Sequence, residues 1–250
     1  MKYHNNVPTY IPPEDRWKKI WRYMDFTKFV SMLENNGLYF SRCDKLGDPF
    51  EGSCSNASEI MNEDAHLRFG WPIIDREFLS RYRKWLLQWA MLNCWHINDY
   101  ESAAMWKLYS RTEEAIAIQS SNLMLKRCLM PEDVEIHEVE YVDYETGWIS
   151  LGFNEYPKPF YCKRRSFQHE KELRALIQLP LPTKDGEPDL DAIQPLEGIW
   201  KLVDLTLLID NIYVAPTSPK WFKELVEKIT KRYSLNKNIL QSSLDREPFF

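Results

Sequence analysis

No stretch of this sequence approaches the ~18 consecutive apolar residues that a membrane-spanning helix requires, and the opening Met1-Lys2-Tyr3-His4 lacks the basic-then-apolar pattern of a secretory leader. A chain of this kind is expected in the cytoplasm, without a membrane partner. Cysteine is sparse: the five residues at 43, 54, 94, 128 and 162 are odd in number and widely spread. No Cys-x-x-Cys pair and no Cys/His cluster has metal-ligand spacing. A disulfide framework and a structural zinc are therefore disfavoured, no metal site is expected, and the thiols read as reduced. Positive charge is not in excess either. The 32 Lys and Arg against 37 Asp and Glu give a formal net charge of −5, which removes any global electrostatic argument for nucleic acid. No internal repeat is visible, and no linker is long enough to separate domains.

What the chain has in quantity is apolar and aromatic: 44% of its 250 residues are hydrophobic, including ten Trp. That suffices for a substantial core without a disulfide or metal, and so many rings often also line a ligand pocket. Residues 1–15, with Pro8, Pro12 and Pro13, read as an extended arm leading into a single domain over 16–250.

Hydrophobic spacing places strands and helices irregularly along that domain. Ile20 to Met24 alternates as a strand, Phe26 to Asn35 has helical spacing behind Asp25 or Thr27 as a cap, and Asn36-Gly37 stops it with Gly in a left-handed position. A second strand, Leu38 to Arg42, precedes the turn Leu46 to Gly52. Arg76 to Leu92 carries the apolar stripe Phe78, Leu79, Tyr82, Trp85, Leu86 and Trp89, read as core. Strands follow at Asn93–His96, Ala115–Gln119, Val134–Tyr144, Glu170–Leu179, Asn211–Pro216 and Ile239–Ser243, and helices at Ala103–Tyr109 and Lys220–Tyr233. Irregular interspersion predicts an α+β fold: a mixed, mostly antiparallel sheet with flanking helices.

The sharpest local signal is His169-Glu170-Lys171-Glu172-Leu173-Arg174. On a strand, Glu170, Glu172 and Arg174 share one face, and two carboxylates there repel each other. Such a pair is suited to a sugar: one carboxylate accepts from a ribose hydroxyl and stabilises oxocarbenium charge, the other orients or deprotonates an acceptor. The plainer alternative is a strand face with Glu172 paired to Arg174 or Lys163. Upstream, Arg22 at the end of the first strand beside Tyr23, with Ser41 and Arg42 ending the next, suits a phosphate-bearing ligand and a stacked ring. Lys163-Arg164-Arg165 is a local basic run, read first as solvated surface.

Several motifs in order carry a resemblance: Trp21-Arg22-Tyr23, Asn36 to Ser41, Gly47-Asp48-Pro49-Phe50-Glu51, Met105-Trp106 with Tyr109, Ala117-Ile118, Phe167-x-x-Glu170-x-Glu172-x-Arg174, and Ile239 to Leu244. Over roughly residues 20–245 the chain resembles the bacterial domain-of-unknown-function family 2971. Gly47 stands where that family has Asn, and Arg22 where it has Lys. The layout is in turn similar to ADP-ribosyltransferases, which place a basic residue on a first strand and a Glu, often in Glu-x-Glu, on a late one. The resemblance implies NAD as substrate, Arg22 on its phosphates or ribose, Trp106 or Tyr109 stacked on nicotinamide, Glu172 as catalytic carboxylate and Glu170 orienting the acceptor. It also implies a bacterial toxin or antiviral-defence effector acting on a protein or nucleic acid. The alternative is a non-catalytic nucleotide- or nucleic-acid-binding module, with Lys163, Arg164 and Arg165 on phosphates and rings on bases. A metal-dependent nuclease using Asp48, Glu51, Glu170 and Glu172 has less support from spacing.

Overall fold

The computed structural model of the chain describes residues 13–60, 76–109, 112–130, 134–149 and 158–246. Most of the proposed N-terminal arm lies outside the described residues; its last part is a single helical turn, Pro13–Arg16. In chain order the strands are β1 Lys19–Asp25, β2 Gly37–Arg42, β3 Ala90–Ile97, β4 Ala115–Ser121, β5 Glu135–Glu138, β6 Glu140–Val142, β7 Cys162–Arg164, β8 Glu172–Gln178, β9 Thr183–Lys184, β10 Glu187–Pro188, β11 Gly198–Leu202, β12 Asn211–Val214 and β13 Asn238–Gln241. The longer helices are Phe26–Glu34, Arg76–Leu86, Ala103–Tyr109, Asn122–Leu129 and Lys220–Arg232. The fold is α+β, with a mixed, mostly antiparallel sheet and flanking helices. The chain divides into two compact units, one formed by residues 1–39, 94–136 and 200–250, the other by 40–93 and 137–199.

In the first unit β1 runs antiparallel to β4 through seven partners, from Lys19–Ser121 to Asp25–Ala115. β12 adds antiparallel to the other edge of β4, and β13 continues parallel to β12. Every residue of β4 is buried. Ala117 lies opposite Tyr23 on one side and Tyr213 on the other, so a small side chain leaves room for rings. Trp21, Tyr23, Met105 and Trp106 fill that room with Ala115 and Ala215. Each such fully buried large side chain stabilises the fold by roughly 1.5–3 kcal/mol. The helix Phe26–Glu34 begins where expected, with the Asp25 carboxylate accepting from Lys28 N–H at 2.8 Å. Its exit differs from expectation: Asn36 takes the left-handed conformation (φ 42°). Gly37 is needed instead for close approach, since a Cβ there would stand 2.4 Å from the Lys201 carbonyl oxygen.

The second unit contains β8, the parallel pair β6–β7 and the hairpin β9–β10. Here the helix expected to run to Leu92 stops at Leu86. Residues Leu87–Trp89 tighten into a 3-10 turn and Ala90 to Leu92 enter β3. The apolar stripe misled because its last residues satisfy strand burial equally well, and Phe78 on it is 45% exposed. The helix Lys220–Arg232 buries Phe222, Val226 and Thr230 and leaves Trp221 exposed.

Candidate functional site

Glu170 and Glu172 both lie in the second unit, but not on one strand. Residues Arg165–Glu170 form a 3-10 segment, Lys171 adopts a left-handed conformation (φ 39°, ψ 59°), and β8 begins at Glu172. The left-handed residue breaks the alternation that would have set both carboxylates side by side. They meet all the same, because both reach one ammonium. Parallel pairing of β6 with β7 sets Lys163 beside Tyr141. From there Lys163 Nζ donates to Glu172 Oε1 at 2.6 Å and to Glu170 Oε2 at 2.9 Å, with Glu51 Oε1 at 3.5 Å.

A second cation closes the cluster. Strand alternation puts Arg174 on the face of Glu172. Its guanidinium donates to Glu172 Oε2 at 2.7 Å, to both Glu51 oxygens at 2.7 and 2.9 Å, and to the Phe160 carbonyl at 2.8 Å. The Tyr141 hydroxyl accepts from the Glu172 backbone N–H at 2.8 Å. All five charged side chains are buried; Arg174 is only 1% exposed. The plainer alternative for Glu172, pairing with Arg174 or Lys163, is thus half the answer: it pairs with both, inside the protein.

Three carboxylates face two cations, so one carboxylate is in surplus. Burial alone would raise the Glu172 carboxyl. The charge and hydrogen bond of Arg174, the charge of Lys163 and a hydrogen bond from Glu170 outweigh it and hold Glu172 well below the usual carboxylate range. Glu170 moves the other way: burial and its hydrogen bond to Glu172 push it up against the pull of Lys163. The two carboxyls are thus pushed in opposite directions, Glu172 down and Glu170 up. Burial pulls Lys163 down, yet the charges of Glu172 and Glu51 leave it above its ordinary value. Burial pushes the Tyr141 phenol up to about 12.

The rim is aromatic and ionic. Lys163 Nζ sits 4.7 Å from the centre of the Phe167 ring. Arg164 pairs with Asp48 and lies over the rings of Phe50 and Phe167. The basic run is therefore not a solvated surface: Lys163 is buried and Arg164 is paired, while Arg165 alone is exposed. Its first two cations are engaged internally: Lys163 by the nearby Glu170 and Glu172 and by the distant Glu51, and Arg164 by the distant Asp48.

The other residues expected to bind ligand are placed as follows. Arg42, in the second unit, donates to the Asp44 carboxylate and to the carbonyls of Gln194 and Leu196; Ser41 precedes it, paired with Leu92. In the first unit Arg22 lies in the middle of β1, opposite Ile118, not at the strand end. Its half-buried guanidinium donates to the Tyr39 carbonyl at 3.3 Å, and burial lowers it to about 10. No carboxylate pairs with it among the described residues. Tyr23 and Trp106 face each other edge-on at 5.0 Å within the core; Tyr23 Oη accepts from Ser102 N–H, and Trp106 Nε1 donates to Glu101. Tyr109 is 46% exposed at the end of its helix.

Lys163, Arg174, Glu51 and Tyr141 complete the site; Arg174 and Glu51 stand in the motifs Glu170-x-Glu172-x-Arg174 and Asp48-Pro49-Phe50-Glu51, Lys163 was an alternative partner of Glu172, and Tyr141 carried no site signal. A groove of about 450 Å³ lies elsewhere in the second unit, lined by Arg81, Lys84, Trp85 and Gln88 among others, and no member of the carboxylate cluster lines it. Among the described residues no group of three His, Cys, Asp or Glu is arranged to hold a metal ion, and no helix is long and apolar enough to cross a membrane. In comparison with known proteins, no family model matches the chain and no curated protein matches it.

Proposed function

We propose that the Glu170–Glu172 pair is the reacting centre of an NAD-consuming glycosyl-transfer enzyme of ADP-ribosyltransferase type, passing ADP-ribose to a macromolecule or to water. The observation that supports this most is that two buried carboxylates adjoin on one ammonium, Lys163, while only Glu172 is also held by Arg174, so that the two are pushed in opposite directions. Such a split is how a site assigns different work to chemically identical groups. Glu172 stays ionised and stabilises positive charge on the ribose as the bond from C1′ to nicotinamide breaks, the bonding electrons leaving with the nicotinamide nitrogen. Glu170, whose carboxyl burial pushes upward, is the base that accepts the proton the attacking hydroxyl or water gives up. Lys163 and Arg174 keep Glu172 charged in a setting that would otherwise neutralise it.

The pair is enclosed in the free protein, so ligand entry must shift Lys163 or the Phe167 ring that covers it. The reading extends to a bacterial toxin or antiviral-defence effector, for which growth arrest on expression, relieved by Glu172→Gln, is the expected behaviour.

The test is nicotinamide release and mass addition on incubating the purified protein with NAD, with and without cell lysate. Glu172→Gln should lower release by roughly 10²–10³-fold while remaining folded by thermal melting. Glu170→Gln should suppress transfer more than release. Absence of nicotinamide release under both conditions, or a folded Glu172→Gln protein with full activity, would overturn the proposal.

A further inference from the structure

Asp48 and Arg164 form an ion pair of unequal partners. The Asp48 side chain is 5% exposed and the Arg164 side chain 36%. Arg164 approaches edge-on, Nη2 to Oδ1 at 2.8 Å and Nε to Oδ2 at 3.3 Å. The only other group donating to this carboxylate among the described residues is the Phe50 backbone N–H, at 3.1 Å. Arg164 itself has no other hydrogen-bond acceptor there, so part of its donor set faces outward. Its Cζ lies 4.5 Å from the centre of the Phe50 ring and 5.3 Å from that of Phe167.

The receiving side is built; the occupant is loosely tied. Phe50 is braced by Tyr144, whose ring meets it edge-on at 5.2 Å and whose hydroxyl donates to the Phe50 carbonyl. Phe167 is fixed over Lys163 as well. Arg164 is the last residue of β7, so its side chain can swing outward without disturbing the strand. Doing so would leave a buried carboxylate without a cation, which is strongly unfavourable. Whatever takes its place must therefore bring positive charge. It must also be flat, to lie against two rings, and must carry two parallel N–H donors, to satisfy both carboxylate oxygens. A pyridinium ring has no such donors, and a lysine ammonium is not flat.

We propose that Asp48, Phe50 and Phe167 form a binding site for the arginine side chain of a partner polypeptide, and that Arg164 is the internal occupant it displaces. The site shares the Phe167 ring with the cover of Lys163 but neither carboxylate of the Glu170–Glu172 pair, and binding measured without NAD succeeds or fails separately from NAD cleavage.

The probe is a short blocked peptide, acetyl-Gly-Arg-Gly-amide, titrated into the full-length protein without NAD and followed by calorimetry. Arg164→Ala, which vacates the site, should bind it at least about tenfold more tightly than wild type, because no internal occupant competes. The citrulline peptide, uncharged but similar in shape, should not bind, and the lysine peptide should bind several-fold more weakly. Adding Asp48→Asn to Arg164→Ala should abolish binding, and adding Phe167→Ala should weaken it about three- to tenfold. Should Arg164→Ala prove too unstable to titrate, its melting temperature in millimolar agmatine answers the same question. Agmatine should raise it, and should leave the Asp48→Asn/Arg164→Ala double variant unchanged. Equal affinity of wild type and Arg164→Ala, equal affinity for the arginine and citrulline peptides, or no response to agmatine would overturn the proposal.

Discussion

Replacing Arg174 with Met tests whether the buried charges act as one network. The guanidinium is 1% exposed and makes four hydrogen bonds, to Glu51 twice, to Glu172 and to the Phe160 carbonyl. Methionine fills much of the same volume but satisfies none of these acceptors. Removing one partner of a buried ion pair costs about 3–5 kcal/mol, because the remaining charge stays buried. For a chain of this length that corresponds to a fall in melting temperature of roughly 6–20 °C. Glu51→Gln alone should cost less, because Arg174 keeps Glu172 and the cluster loses its surplus carboxylate, leaving only two guanidinium donors with a weaker acceptor. The double variant leaves no lone charge between the two, so it should cost clearly less than the sum, with a coupling of at least about 2 kcal/mol. Urea unfolding followed by tryptophan fluorescence measures all four proteins. A loss below about 1 kcal/mol for Arg174→Met, or strict additivity in the cycle, would refute the network as the source of stability here.

Other expectations follow from the same geometry. Glu170 has a raised proton affinity in the folded state, so its contribution to stability is present below the unfolded value of 4.5 and is lost as pH rises through the folded value. Glu170→Gln, which stays neutral, should therefore gain on wild type as pH rises from 4 to 8 in thermal melts; a difference that shrinks over that range contradicts the assignment. Gly52 has φ +67°, and a Cβ there would stand 2.4 Å from Leu87 Cδ2 and 2.9 Å from Phe160 Cε1. Gly52→Ala should cost about 3 kcal/mol in urea unfolding from backbone strain and overpacking together. Burial and a hydrogen bond to Glu59 push the Cys54 thiol up to about 12. Its alkylation by iodoacetamide at pH 8, read by peptide mass, should be at least about tenfold slower than that of free cysteine.

The elements that were legible in the sequence are those whose pattern is self-contained. β1, the capped helix after it, β4 and the helix Ala103–Tyr109 declare themselves through local alternation, an Asp cap, apolar composition and helical spacing. The Glu-x-Glu pair was legible as chemistry, and the pairing of Glu172 with Arg174 or Lys163 was among the alternatives. What was not legible depends on distant partners. Glu170 and Glu172 converge through a left-handed Lys171, a conformation that nothing about a lysine announces. Lys163 looks like surface until Glu51, Glu170 and Glu172 are brought around it, and Tyr141 enters only through the parallel pairing of β6 and β7. The left-handed helix stop falls on Asn36 and not on Gly37, whose need for a missing Cβ comes from the distant Lys201 carbonyl. The helix after Arg76 ended early because Ala90 to Leu92 are needed in a strand, a demand set by tertiary pairing and invisible to periodicity.

The interleaving of the two units bears on how the chain is made. All residues of the second unit have been synthesised once position 199 is added, whereas the first still lacks 200–250, including β12 and β13. Until Asn211–Val214 emerge, the β4 edge that will receive them has no strand to pair with, and β4 is apolar through Ile118. A nascent chain stalled between these points would present an open, sticky strand edge to its neighbours. Truncated products ending shortly before residue 211 should accordingly collect in inclusion bodies, so a fragment of the first unit is better produced by permuting the chain than by cutting it short.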